Sequence, residues 1–91
     1  MNVTKRITIK GDVQGVGFRY SMLAEARRWH ILGWVRNGRD GSVEAVVQGA
    51  AKDVQAILSW AAHGPDMARV EHVEIQDDSG VFVDFRIEHT I

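Results

Sequence analysis

The spacing of apolar side chains changes abruptly between Lys10 and Phe18, and that change restricts the chain to folds that join a strand directly to a helix. Before it, Val3, Ile7 and Ile9 alternate with Arg6, Thr8 and Lys10, the two-residue period of a strand with one buried face. Lys5 interrupts the inward set, where the strand end is expected to open to solvent. After it, Phe18, Met22, Ala26 and Trp29 recur at helical spacing with Leu23 beside them, to about Ile31. Glu25, Arg27 and Arg28 supply the wet side. Arg27, Arg28 and His30 place positive charge where the helix dipole favours it, and Gly33 is the expected stop.

Between the two periods lies Gly11-Asp12-Val13-Gln14-Gly15-Val16-Gly17-Phe18-Arg19, with three glycines in seven residues. Glycine permits sharp turns and close approach of peptide N–H groups to a ligand. The helix that follows adds unpaired N–H groups and the positive end of its dipole, which together suit a phosphate or carboxylate. Neither familiar phosphate loop fits. Gly11 is followed by Gly15 and Val16 rather than by Gly-Lys-Ser/Thr, and Gly15-Val16-Gly17-Phe18-Arg19-Tyr20 ends on tyrosine where the dinucleotide fingerprint needs glycine. Arg19 falls in the first helical turn, where a cation opposes the dipole at roughly 0.3–1 kcal/mol. Two readings stand: an arginine held by an anion between it and the loop, or a solvated arginine behind an ordinary glycine turn.

Trp34–Asn37 and Ser42–Gln48 flank Gly38-Arg39-Asp40-Gly41, and both Asn37-Gly38 and Asp40-Gly41 are hairpin signals. The hairpin therefore has two registers, one making Asn37 a turn residue and one leaving it at a strand end. From Ala50 to His63, Val54, Ile57, Leu58, Ala61 and Ala62 form a continuous apolar stripe with Trp60 at its margin, and Gly64-Pro65 stops the helix. Arg69 to Asp77 is a strand with Val73 and Ile75 inward. Val70 has the opposite parity, so a bulge is expected near Glu71. After a turn at Asp77–Gly80, the residues Val81, Val83, Phe85 and Ile87 alternate as the inward set of a final strand. His30 and His63 suit helix ends, and His72 and His89 are placed on the surface. The order is β-α-β-β-α-β plus one short extra strand. Two helices at this spacing cover one face of a mostly antiparallel sheet, an α+β two-layer sandwich of the ferredoxin-like kind, with residues 1–91 forming a single domain.

Gly11-x-Val13-Gln14-Gly15-Val16-x-Phe18-Arg19, followed by Gly33-Trp34-Val35-Arg36-Asn37-x3-Gly41-x-Val43 and then Gly49, resembles the paired signature of the acylphosphatase family. Both blocks stand in the family's order and separation, and the length of 91 residues corresponds to one acylphosphatase. The resemblance implies the ferredoxin-like fold and favours the register in which a strand ends at Asn37 and the turn occupies 38–41. It implies hydrolysis of the carboxyl-phosphate bond of an acyl phosphate to a carboxylate and inorganic phosphate. By matched position, loop N–H groups over Gln14, Gly15, Val16, Gly17 and Phe18 would bind the phosphoryl oxygens together with Arg19. Asn37 would orient the attacking water, whose proton the substrate's own phosphate accepts. Gly17 stands where some members carry a bulky residue, and Gly38 where many carry threonine. These departures bear on turnover more than on reaction type.

Composition narrows the alternatives. Eleven basic and twelve acidic residues give a net charge of −1, which argues against nucleic-acid binding through bulk electrostatics. Ser42–Gln48 carries no aromatic residue on which RNA bases could stack. There is no cysteine, no apolar run long enough to span a membrane and no signal-peptide core after Met1, so a cytoplasmic address is expected. No base accompanies Ser21 or Tyr20, no metal-ligand spacing occurs, and Asp12 is expected to point to solvent. A ring of amides, one guanidinium and one carboxamide suits phosphoryl transfer, whose loose transition state needs positioning and charge stabilisation. An acyl phosphate leaves as a carboxylate and needs no general acid. The expectation is a monomeric hydrolase of a small-molecule acyl phosphate, without cofactor, metal, nucleic acid or membrane. The rival is a non-catalytic anion- or metabolite-binding module of the same fold.

Overall fold

The computed structural model describes residues 2–90. The elements are β1 (Asn2–Asp12), α1 (Phe18–Arg28), β2 (Leu32–Asn37), β3 (Val43–Ala50), α2 (Ala51–Ala61), β4 (Arg69–Asp77) and β5 (Phe85–Ile87). The five strands form one sheet in the order β4-β1-β3-β2-β5. The three pairs among β1 to β4 are antiparallel, and β5 pairs parallel with β2. Both helices pack on one face, giving the expected ferredoxin-like α+β sandwich.

Alternation decides which side of each strand is buried. Ile7 and Ile9 of β1, Val35 of β2, and Val43, Ala45 and Val47 of β3 meet Phe18, Met22 and Ala26 of α1 and Val54, Ile57 and Ala61 of α2 in one core. Trp60 packs at the edge of this core against Phe18, with ring centroids 5.3 Å apart and planes at 59°. The contact fixes the start of α1 to α2. Lys5, at the open end of the inward set, pairs with Asp77 on the neighbouring strand. The register between β1 and β4 shifts between Lys10 and Gly11, where Lys10 faces His72 but Gly11 faces Val70. Glu71 is the residue passed over, so the bulge lies where the parity of Val70 placed it.

The other face of the sheet is open and carries its own cluster. Glu44 accepts from Arg6 at 2.7 Å and from Arg36 at 2.6 Å. Trp34 lies beside both guanidiniums, with Cζ of Arg36 4.5 Å and Cζ of Arg6 5.4 Å from its ring centroid. Val46 is cross-strand partner to Arg6 and Trp34 and is only 2% exposed, although it faces away from the helices.

Apart from Ile75, expected inward but 50% exposed on the edge strand β4, two details depart from the pattern of the sequence. The first helix ends at Arg28, and Gly33 is not its stop. His30 turns the chain instead, with φ 55°, while its N–H donates to Arg27 O at 3.4 Å and that of Ile31 donates to Ala26 O at 2.8 Å. This is the double bond pattern of a Schellman end, with histidine where glycine is usual. Gly33 lies inside β2, where an added Cβ would stand 1.9 Å from Val46 O, so the close approach of β3 requires glycine there. The second departure concerns Val81 and Val83, which are 94% and 83% exposed rather than inward. The last strand is only Phe85–Ile87. The chain must cross from β4 at one sheet edge to β5 at the other, and residues 78–84 serve that crossing. They are tied down through Gly80 O, which accepts from Gln48 Nε2 at 2.9 Å, and Asp84 O, which accepts from Gly33 N–H at 2.8 Å. Alternation alone did not distinguish a crossing segment from a strand.

Candidate active site

β1 and β2 are both antiparallel to β3, so they run in the same direction and end at the same end of the sheet. β1 leads there into the glycine loop, and β2 ends there on Asn37. Val43 is the cross-strand partner of both Ile9 and Asn37, which sets Asn37 level with Ile9 across one intervening strand. Asn37 has the parity of Val35, on the helix side, whereas Arg36 points to the open face and bonds Glu44. The strand-end register therefore holds, and the side chain of Asn37 emerges on the side of the sheet where α1 begins.

The loop between β1 and α1 turns on glycines in left-handed conformations, Gly15 with φ 74° and Gly17 with φ 79°. An added Cβ at either would meet no atom within 4 Å, so it is backbone conformation, not space, that requires glycine. Gly17 is the N-cap of α1 and offers no side-chain cap. The first helical bond runs from Ser21 N–H to Gly17 O at 3.0 Å. Among the described residues, the N–H groups of Gln14, Gly15, Val16, Gly17, Phe18 and Arg19 find no protein acceptor. No acidic residue occupies the first turn of α1. Phe18 is buried against Trp60 and anchors this row of donors. Arg19 is half-buried and, among the described residues, makes no ion pair. Asp12 is exposed, as expected.

The loop and the hairpin are linked by a contact that the sequence did not reveal. Gln14 Nε2 donates to Gly38 O at 2.7 Å and to Ser42 O at 2.9 Å. The hairpin turn has its own framework. Gly38 N–H donates to Ser42 O at 2.8 Å and Gly41 N–H to Gly38 O at 3.2 Å. The Asp40 carboxylate accepts from Ser42 Oγ at 2.6 Å and from Ser42 N–H at 3.0 Å. The Ser42 hydroxyl, then its N–H, hold the Asp40 carboxyl below its ordinary range. On the other side of the turn, an open cleft of about 780 Å³ is lined by Thr8, Arg39, Asp40, Ser42, Glu44 and Thr90. It does not include the glycine loop. His30, His72 and His89 are exposed, and His63 closes α2 with Nδ1 3.4 Å from Ser59 O. Among the described residues, no group of three or more His, Cys, Asp or Glu has the geometry to hold a metal ion.

Comparison with known proteins bears on the family and the fold. The sequence model of the acylphosphatase family matches residues 5–87. An acylphosphatase of Acidovorax sp. is 51% identical over 76 residues, covering 84% of this chain and 78% of the relative. One from Thiobacillus denitrificans is 50% identical over 82 residues, covering 90% and 92%. The solved structure of an acylphosphatase from Coxiella burnetii superposes with a TM-score of 0.92 at 32% identity, covering 96% of this chain and 93% of that one. The chain belongs to the acylphosphatase family.

Proposed function

We infer that this chain is a hydrolase that cleaves the carboxyl-phosphate bond of acyl phosphates, releasing a carboxylate and inorganic phosphate. The observation that carries the reading is kinship with acylphosphatases over most of the chain, supported by a row of loop N–H groups without protein acceptors among the described residues. That kinship favours turnover over the binding-only alternative.

In the proposed mechanism the phosphoryl oxygens lie against the N–H groups of Gln14 to Phe18 and the guanidinium of Arg19. These donors face the charge that accumulates on the oxygens as the bond breaks, and they are fixed before the reaction begins. Asn37 orients a water in line with the departing carboxylate. Its carboxamide both donates and accepts, so it can hold a neutral water without removing its proton. That proton passes to a phosphate oxygen. The carboxylate is a stable leaving group, so no acid is needed on its side. The chain works as one domain over 1–91 and as a cytoplasmic monomer. Asn37→Ala should lower kcat for benzoyl phosphate on the order of 10²–10³-fold. Inhibition by inorganic phosphate should be largely preserved in that variant. Normal turnover per folded molecule together with a lowered unfolding midpoint would make Asn37 a turn residue only and defeat its assignment.

A further inference from the structure

We propose that Gln14 is a positioning residue: its side-chain amide sets the distance between the phosphate loop and Asn37. The inference rests on the reaction proposed above. Its basis is the geometry of one nitrogen facing two carbonyls, Gly38 O at 2.7 Å and Ser42 O at 2.9 Å.

An amide nitrogen has two N–H groups, and here each has an acceptor. No other uncharged side chain of this length supplies two hydrogens from one atom. A carboxylate would present lone pairs to lone pairs. The carbonyls belong to the residue directly after Asn37 and to the residue that closes the turn opposite it. The turn needs neither bond in order to form. Gly38 N–H already bonds Ser42 O, Gly41 N–H bonds Gly38 O, and Asp40 caps Ser42 twice. The loop is likewise secured independently, by Phe18 against Trp60 and by the left-handed glycines. What the Gln14 bonds add is the placement of one body against the other. Water held by Asn37 must attack a phosphorus held by the loop, so this placement determines the approach distance. Gln14 thus contributes twice to the site, its backbone N–H to the phosphate and its side chain to the hairpin.

The test uses two variants of the whole chain assayed with benzoyl phosphate. Gln14→Met keeps the stem and removes both bonds. A misplacement of about 1 Å costs on the order of 10²-fold, so kcat should fall by that order. KM and phosphate inhibition should change far less, since the loop amides remain. In Gln14→Glu an ionised carboxylate faces two carbonyl oxygens, which destabilises the charged form and raises its pKa. Once protonated, it can donate to one of the two. The ratio of variant to parent kcat should therefore rise as the pH is lowered from about 8 to about 5, the range in which a raised carboxyl titrates. Taking the ratio cancels the substrate's own titration. An unchanged kcat in Gln14→Met, or a flat ratio in Gln14→Glu, overturns the assignment. Loss of folded structure in both variants, seen by circular dichroism, also overturns it by making Gln14 a requirement of the fold. An inactive parent overturns the reaction itself, whereas an active parent with a flat ratio overturns only the role of Gln14.

Discussion

Arg19 occupies a position where the helix dipole disfavours a cation. It stands in the first turn of α1, behind a glycine N-cap and without an acidic neighbour in that turn. Its charge there opposes the helix dipole by roughly 0.3–1 kcal/mol. Function and stability should therefore diverge on replacing it. Arg19→Gln keeps most of the stem, and without ligand it should be as stable as the parent or slightly more so, with activity nearly gone. On the proposed assignment phosphate binds only the folded parent, so it should raise the parent's stability by RT ln(1 + [L]/Kd). In the variant that increment should shrink or vanish. Urea melts with and without phosphate at constant ionic strength check both parts. A variant that is weaker without phosphate yet gains as much from it as the parent would show a structural arginine.

Elements end and pair here by means that leave measurable traces. The Schellman end of α1 puts His30 at φ 55°, a conformation costing an L-residue about 1–2 kcal/mol. Glycine escapes that cost but loses roughly 0.5–1 kcal/mol through unfolded-state entropy. His30→Gly should thus stabilise the fold by up to about 1 kcal/mol, because the histidine is exposed and only its backbone is used. A lowered urea midpoint would show that the ring itself contributes. On the open face, burial alone would raise the Glu44 carboxyl, but hydrogen bonds from Arg6 and then Arg36 outweigh it and hold it below its ordinary value. A depressed folded pKa stabilises above the unfolded pKa, and the effect is lost as pH falls through the folded one. Glu44→Gln should therefore cost on the order of 1–3 kcal/mol at neutral pH. That deficit should shrink as the pH falls below the ordinary carboxylate range of about 4, where the unfolded chain takes up the proton first. Equal deficits in melts at neutral and at acidic pH would contradict the Arg6–Glu44–Arg36 bridge.

For the whole molecule, local chemistry was legible where it was repeated along the chain. Apolar alternation and helical spacing revealed β1, α1, α2 and β4, and the parity of Val70 located the bulge opposite Gly11. Contacts between distant segments were not legible. Nothing near Gln14 announces that its amide reaches Gly38 and Ser42, twenty-four and twenty-eight residues away. Histidine at 30 has no turn signature strong enough to displace Gly33 as the helix stop. Val81 and Val83 alternate like a strand, yet they lie where the chain crosses between sheet edges. The hairpin register was open on local signals, and the family resemblance resolved it at Asn37. The proposed site makes one chemical claim, that backbone amides, one guanidinium and one carboxamide suffice for the reaction. The most direct test is hydrolysis of benzoyl phosphate by the purified protein before and after exhaustive EDTA treatment. Turnover well above the uncatalysed rate, unchanged by the chelator and nearly abolished in Arg19→Gln, is the predicted result. No turnover, or activity lost to EDTA and restored by Mg²⁺ or Zn²⁺, would contradict it.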